Sequence, residues 1–142
     1  EFRVYEATEQ DKAERPEEIV KTNLAKDKPV TATNHEGAYL AKYANDGNLE
    51  TRWGSLPSGQ AWLQVDLGSV THFESLTLLL ESAWVPYRIE ISTDGQTYTT
   101  IYNGKKDELL LTLTDLDATA RYVRFWREGE SWFSIIELEV YG

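Results

Sequence analysis

The chain has 142 residues, enough for one domain with its own hydrophobic core, or one domain plus a short tail. Its 24 acidic residues outweigh 14 basic ones, and the formal charge of −10 repels phosphate backbones and anionic lipid headgroups, which excludes nucleic acid and acidic membrane as expected partners. There is no cysteine, which closes the disulfide question, and no apolar run of membrane length or signal peptide, so a soluble chain without membrane insertion is expected.

Residues 1–22 differ from the rest. Glu1–Glu6 (EFRVYE) reads as a strand, and the charged stretch after it reads as a linker or a short exposed helix starting near Pro16, since proline is tolerated in a helix's first turn. The opening EFRVYE echoes the closing ELEVYG of residues 137–142, which implies that the chain starts on the last strand of a preceding, related module. Any amphipathic strand would look similar, and both readings stay open. The absence of methionine also points to a piece of a longer protein.

From Asn23 to Gly142 the pattern is all-β, the expected domain. Leu63, Val65 and Leu67 alternate with Gln64 and Asp66, the period-2 signature of a half-buried strand. Leu76, Leu78 and Leu80 repeat it. Tyr87, Ile89 and Ile91 face one way, and Arg88, Glu90 and Ser92 the other. Asp94-Gly95 predicts a tight hairpin turn, with Thr97–Tyr102 as the return strand. Leu109, Leu111 and Leu113 form another strand, Val123 and Phe125 the next, and Ile136, Leu138 and Val140 line the last. Many short strands separated by turns, with no long amphipathic helix, predict a β-sandwich or jelly roll.

The loops carry the chemistry. Residues 33–42, 54–61, 81–86 and 127–133 hold aromatics and charges where plain linkers would hold Ser and Gly, and loops on a rigid sandwich are where recognition sits. The stretch Tyr43–Trp53 crowds the turn Asp46-Gly47-Asn48, the Asp46 carboxylate and the Thr51 hydroxyl together, hard oxygen donors that suit calcium; an ordinary capped loop is the alternative, and the EF-hand spacing is absent.

For catalysis there is little. His35 and His72 are the only histidines, neither in a catalytic context, and no nucleophile elbow, phosphate-binding glycine loop or zinc spacing occurs. Carboxylate pairs are no signal in a chain this acidic. Binding fares better: a sugar wants a flat aromatic under its C–H face and charged groups at its hydroxyl rim. Trp84 sits beside Glu81, Trp132 and Phe133 beside Arg127, Glu128 and Glu130, and Glu36 shares a loop with Asn34, His35 and Tyr39. Trp53 and Trp62 read as core or lid residues, Trp126 as core or edge, and Trp84 and Trp132 as exposed.

The series Asn23-Leu24-Ala25, Lys28–Thr33, Asp46-Gly47-Asn48 with Thr51-Arg52-Trp53, Trp62–Gly68, Tyr87–Gly95, Ala120–Arg124 and Glu137–Gly142 resembles the discoidin, or coagulation-factor type C, superfamily, and within it the family 32 carbohydrate-binding modules. The resemblance covers residues 23–142. It implies a galactose-binding-like jelly-roll β-sandwich, a monomeric non-catalytic module within a multimodular, secreted or cell-surface bacterial glycoside hydrolase. It implies a structural calcium held by Asp46, Thr51, the carbonyls of Tyr43, Asn48 and Ile136, and Glu137. It also places Glu36, Arg52, Glu81, Trp84, Trp132 and Phe133 at sugar-contacting loop positions. Gly54 stands where galactose-binding members carry a histidine, so plain galactose is not the expected ligand, and N-acetylhexosamines, mannose-type ends and glucosamine stay open. A discoidin-like cell-surface or protein adhesion domain is the alternative, and the −10 charge argues against the lipid-binding branch.

Overall fold

The computed structural model describes residues 21–142. The expected opening strand, the helix near Pro16 and the terminal echo lie outside the described residues. Within them, nine strands form two antiparallel sheets: β1 (Val30–Ala32), β2 (Trp53–Gly54), β3 (Trp62–Phe73), β4 (Ser75–Ala83), β5 (Tyr87–Ser92), β6 (Thr99–Gly104), β7 (Leu110–Leu113), β8 (Ala118–Arg127) and β9 (Phe133–Tyr141). One sheet runs β2-β9-β4-β7, the other β1-β3-β8-β5-β6. Among the described residues the single helical element is a 3-10 turn, Ala41–Ala44.

The period-2 leucines do what their spacing dictates. Leu63, Val65 and Leu67 of β3, Leu76, Leu78 and Leu80 of β4, Ile89 of β5, and Val123 and Phe125 of β8 are all buried between the sheets. At about 25 cal/mol per Å² of apolar surface removed from water, this shared layer holds the two sheets together. Phe133 and Trp53 meet edge-on within it, with ring centroids 6.0 Å apart.

Two details depart from the sequence reading and a third refines it. The strand after Asp94-Gly95 begins at Thr99, because Ser92 and Asp94 hold residues 92–97 in a wider loop: the Ser92 hydroxyl accepts from Gly95 N at 2.8 Å and the Asp94 carboxylate from Gln96 N at 2.8 Å. In β9, Ile135 takes the core place expected of Ile136. The register passes from Ile135 opposite Leu80 to Glu137 opposite Leu79, which leaves Ile136 as the unpaired residue of a bulge. Glu90, expected to face outward, does so but is only 6% exposed. Arg88 Nε at 2.5 Å and Arg124 Nη2 at 2.8 Å close over its carboxylate. Arg124 in turn lies 3.6 Å from the Tyr98 ring centroid, 5.9 Å from that of Trp62 and 5.1 Å from that of Trp126. Trp62 and Trp126, cross-strand partners, therefore belong to a half-buried cation–π layer on the outside of the five-stranded sheet.

Candidate functional site

The loops at one end of the sandwich enclose a cleft of about 410 Å³. Its walls come from separate parts of the chain: Glu36 from the loop before the 3-10 turn, Arg52 before β2, Glu81–Trp84 at the end of β4, Asp107 and Leu109 between β6 and β7, and Trp132 just before β9. Trp84 is 59% exposed and Trp132 41%. Five of the six expected sugar-contact positions, Glu36, Arg52, Glu81, Trp84 and Trp132, thus line one cavity. The sixth, Phe133, does not: it is fully buried between Trp53 and Tyr87, because β9 starts at that residue and alternation turns its ring inward while Trp132 faces out.

Each wall is positioned by the backbone beside it. Trp53, fully buried, donates from Nε1 to the Asn34 carbonyl at 2.9 Å, and Asn34 in turn accepts from Leu56 N at 2.9 Å and donates to the Gln60 carbonyl at 3.1 Å. Glu36 N donates to Gly54 O at 2.8 Å, which ties the Glu36 loop to β2. Arg52 lays its guanidinium 4.2 Å from the Tyr39 ring centroid, and its buried Nε has no hydrogen-bond partner. Asp107 occupies a left-handed backbone conformation, φ 65°, a region aspartate tolerates better than most residues, and its N–H donates to Ala83 O at 2.8 Å. That bond brings Asp107 to the cleft. Sequence reasoning missed Asp107, Leu109 and Ser134. The only signal for Asp107 was its place in the turn-forming run Lys105–Glu108, which says nothing of what the turn faces.

The electrostatics of the cleft are lopsided. Glu36, Glu81 and Asp107 set three carboxylates against the one guanidinium of Arg52, and among the described residues none of these four forms an ion pair with another. The cleft offers a net negative charge with acceptors to spare, beside two indole faces.

Of the residues expected to hold calcium, Asp46, Asn48, Thr51 and Glu137 lie around one turn. Thr51 Oγ1 donates to Asp46 Oδ2 at 2.6 Å and lies 3.1 Å from the Asn48 carbonyl oxygen. Across the sandwich end, Glu137 Oε2 accepts from Gly47 N at 3.0 Å, so β9 reaches the Asp46 turn. Glu137 is 2% exposed, and its Oε1 has no hydrogen-bond partner. Burial, with the neighbouring Asp46 and Glu139 carboxylates, pushes its carboxyl up to about 8. The bulge leaves Ile136 without a cross-strand partner beside it. Tyr43 lies in the 3-10 turn that leads into this loop.

The two histidines are elsewhere engaged. His35 Nδ1 lies 2.8 Å from Gly37 O, and His72 Nε2 lies 2.8 Å from Asp117 and 3.3 Å from Glu74 on the surface, where β3 ends and β4 begins, away from the cleft.

The profile of the F5/8 type C domain matches residues 29–138. Chitosan-binding module 1 of a chitosanase/glucanase from Paenibacillus sp. IK-5 is similar in structure, with 34% identity, a TM-score of 0.78, and 85% of this chain and 99% of that module covered. Chitosan-binding module 2 of the same enzyme, solved with chitotriose, shows 30% identity and a TM-score of 0.77 over 84% of this chain and all of that module. A polysaccharide lyase 8 family protein, HylA of Enterococcus faecalis, is 33% identical over 84% of this chain. The chain spans about a tenth of the length of that relative.

Proposed function

The chain belongs to the F5/8 type C domain family and is a non-catalytic β-sandwich module, and from that premise we propose that it binds amine-bearing glycans of the chitosan kind in the Trp84–Trp132 cleft. The observation that carries this reading is the cleft's make-up: two exposed indoles and three carboxylates around a single guanidinium. An indole face suits the C–H face of a hexose, and ionised carboxylates make the stronger, charge-assisted hydrogen bonds to ammonium and hydroxyl donors. Arg52, held over Tyr39, serves the hydroxyl rim. The chitosan-binding modules of Paenibacillus sp. IK-5, at 30% identity or more, support the same ligand class.

One or two stacked rings and a few polar contacts give modest affinity, with a dissociation constant on the order of 0.01–1 mM. A module of this strength serves a larger protein: here a secreted or surface-bound bacterial enzyme acting on polysaccharide, with avidity supplied by further modules. The donor set fits a structural calcium, because Glu137 brings a buried carboxylate oxygen without a partner to the Asp46 turn. We assign to that ion Asp46, Thr51, Glu137 and the carbonyls of Tyr43, Asn48 and Ile136, a hard-oxygen set of the kind calcium takes. Bound there, it would neutralise two neighbouring carboxylates and clamp the early loop to the last strand.

The test is a calorimetric titration of the chain with glucosamine trisaccharide, its fully N-acetylated counterpart, galactose and a uronic acid oligomer. The free-amine trisaccharide is expected to bind best. Equal binding of the acetylated form removes the amine from the reading. Silence on every sugar, with a protein captured instead, favours an adhesion domain.

A further inference from the structure

Arg127 closes β8 and is 1% exposed, yet among the described residues no carboxylate lies within ion-pair distance of it. Its guanidinium is spent on backbone instead. Nε donates to Gly129 O at 2.7 Å, Nη1 donates to Leu56 O at 2.7 Å and to the Ser131 carbonyl, and Nη2 donates to Gly59 O. Ser55 Oγ lies 3.4 Å from Nη1 and accepts from Phe133 N at 3.2 Å. The acceptors fall in two loops, 55–59 and 129–131, with no regular ladder between them. A second tie runs in parallel, from Gly59 N to Glu130 Oε2 at 2.9 Å. Immediately after Ser131 comes Trp132, the cleft wall.

Burying a charge is costly unless its hydrogen bonds are met, and a fork of five N–H groups is the one side chain able to meet four carbonyls at once. Burial lowers the guanidinium's proton affinity from its ordinary value, and the charge of the nearby Glu130 carboxylate opposes part of that shift. A core leucine or methionine would fill the same space more cheaply, so filling space does not account for the residue.

We propose that Arg127 is the positioning residue of the cleft: its guanidinium fixes the Gly129–Ser131 carbonyls against the 55–59 loop and so holds Trp132 at the height and tilt a sugar ring needs. This rests on the sugar reading above. Arg127 itself touches no ligand; it acts through Trp132, whose loop has no strand partner from Glu128 to Trp132.

Arg127→Lys tests it, since it keeps the charge but replaces the planar fork with a single ammonium. The full chain is labelled with 5-fluorotryptophan, which yields five fluorine resonances for the five tryptophans, with Trp132 assigned by Trp132→Phe. The variant is expected to shift or broaden the Trp132 resonance, leave that of Trp53 in place, and weaken binding of glucosamine trisaccharide about tenfold. In a variant that circular dichroism shows to be folded, a Trp132 resonance unchanged, affinity within twofold of wild type, or a movement of all five resonances together overturns the proposal. Should the variant not fold, the wild type answers: the Arg127 Nε proton is expected to exchange slowly in the free protein and in the presence of sugar, and exchange as fast as that of free arginine overturns it. Failure of the wild type to bind the trisaccharide counts against the sugar reading, and the fluorine spectra then decide on Arg127 alone.

Discussion

Trp132 and Phe133 are chain neighbours with opposite fates, one 41% exposed on the cleft and the other sealed in the core. Substitution should separate them. Trp132→Ala or Trp84→Ala is expected to remove measurable sugar binding while moving the melting temperature by no more than a few degrees, because an exposed indole contributes little packing. Phe133→Ala is expected to cost about 3–5 kcal/mol of stability through the cavity it leaves between Trp53 and Tyr87. Calorimetric binding together with thermal unfolding on the same variants checks both. At this scale the sequence was informative about kind and weak about direction. The loop position of Trp84 was legible, whereas the fate of Phe133 hung on where β9 begins, and boundaries of elements depend on pairings far away in the chain.

Two elements store their own tests. On β6, a Cβ at Gly104 would lie 2.2 Å from the Tyr87 ring, so the strand carries glycine there because the aromatic of β5 lies against its backbone. Gly104→Ala is expected to destabilise by about 1–3 kcal/mol, as overpacking does, and a denaturant midpoint measures it. On β9, Glu137 carries a raised carboxyl, about 8 against an ordinary 4.5. A group whose folded value lies above its unfolded one contributes stability that is complete below the unfolded value and is lost as pH climbs toward the folded one. In chelator the melting temperature is therefore expected to fall between about pH 5 and pH 8, and Glu137→Gln to flatten that fall. Calcium is expected to restore the loss, and Asp46→Ala to abolish the restoration. A melting curve indifferent to chelator removes the ion. The bulge at Ile136 was not legible from alternation alone, because the added residue is visible only against its partner strand, β4.

For the whole molecule, charge is the governing quantity. On the proposed reading, a net charge of −10 and three carboxylates in the cleft would attract a polycation from a distance and hold it by short-range ionic contacts. Raising salt from about 0.05 to about 0.5 M, which shrinks the screening length severalfold, is expected to weaken binding of glucosamine oligomers several-fold and leave any neutral sugar nearly unaffected. Glu81→Gln is expected to reduce that salt dependence. Parallel titrations at two ionic strengths read both effects.

The sheet-forming alternation, the all-β class, the loop positions of Trp84 and Trp132 and the oxygen-rich turn at Asp46 were determined by the sequence by itself, since each rests on neighbours within a few residues. The union of Glu36, Arg52, Glu81, Asp107 and Trp132 around one cleft was decided by tertiary structure only. So were the reach of Glu137 across the sandwich to Gly47 and the grip of Arg127 on two loops. Local periodicity records which face of a strand meets water. It carries no record of which strand ends lie together, because that follows from the order in which the nine described strands pair into two sheets.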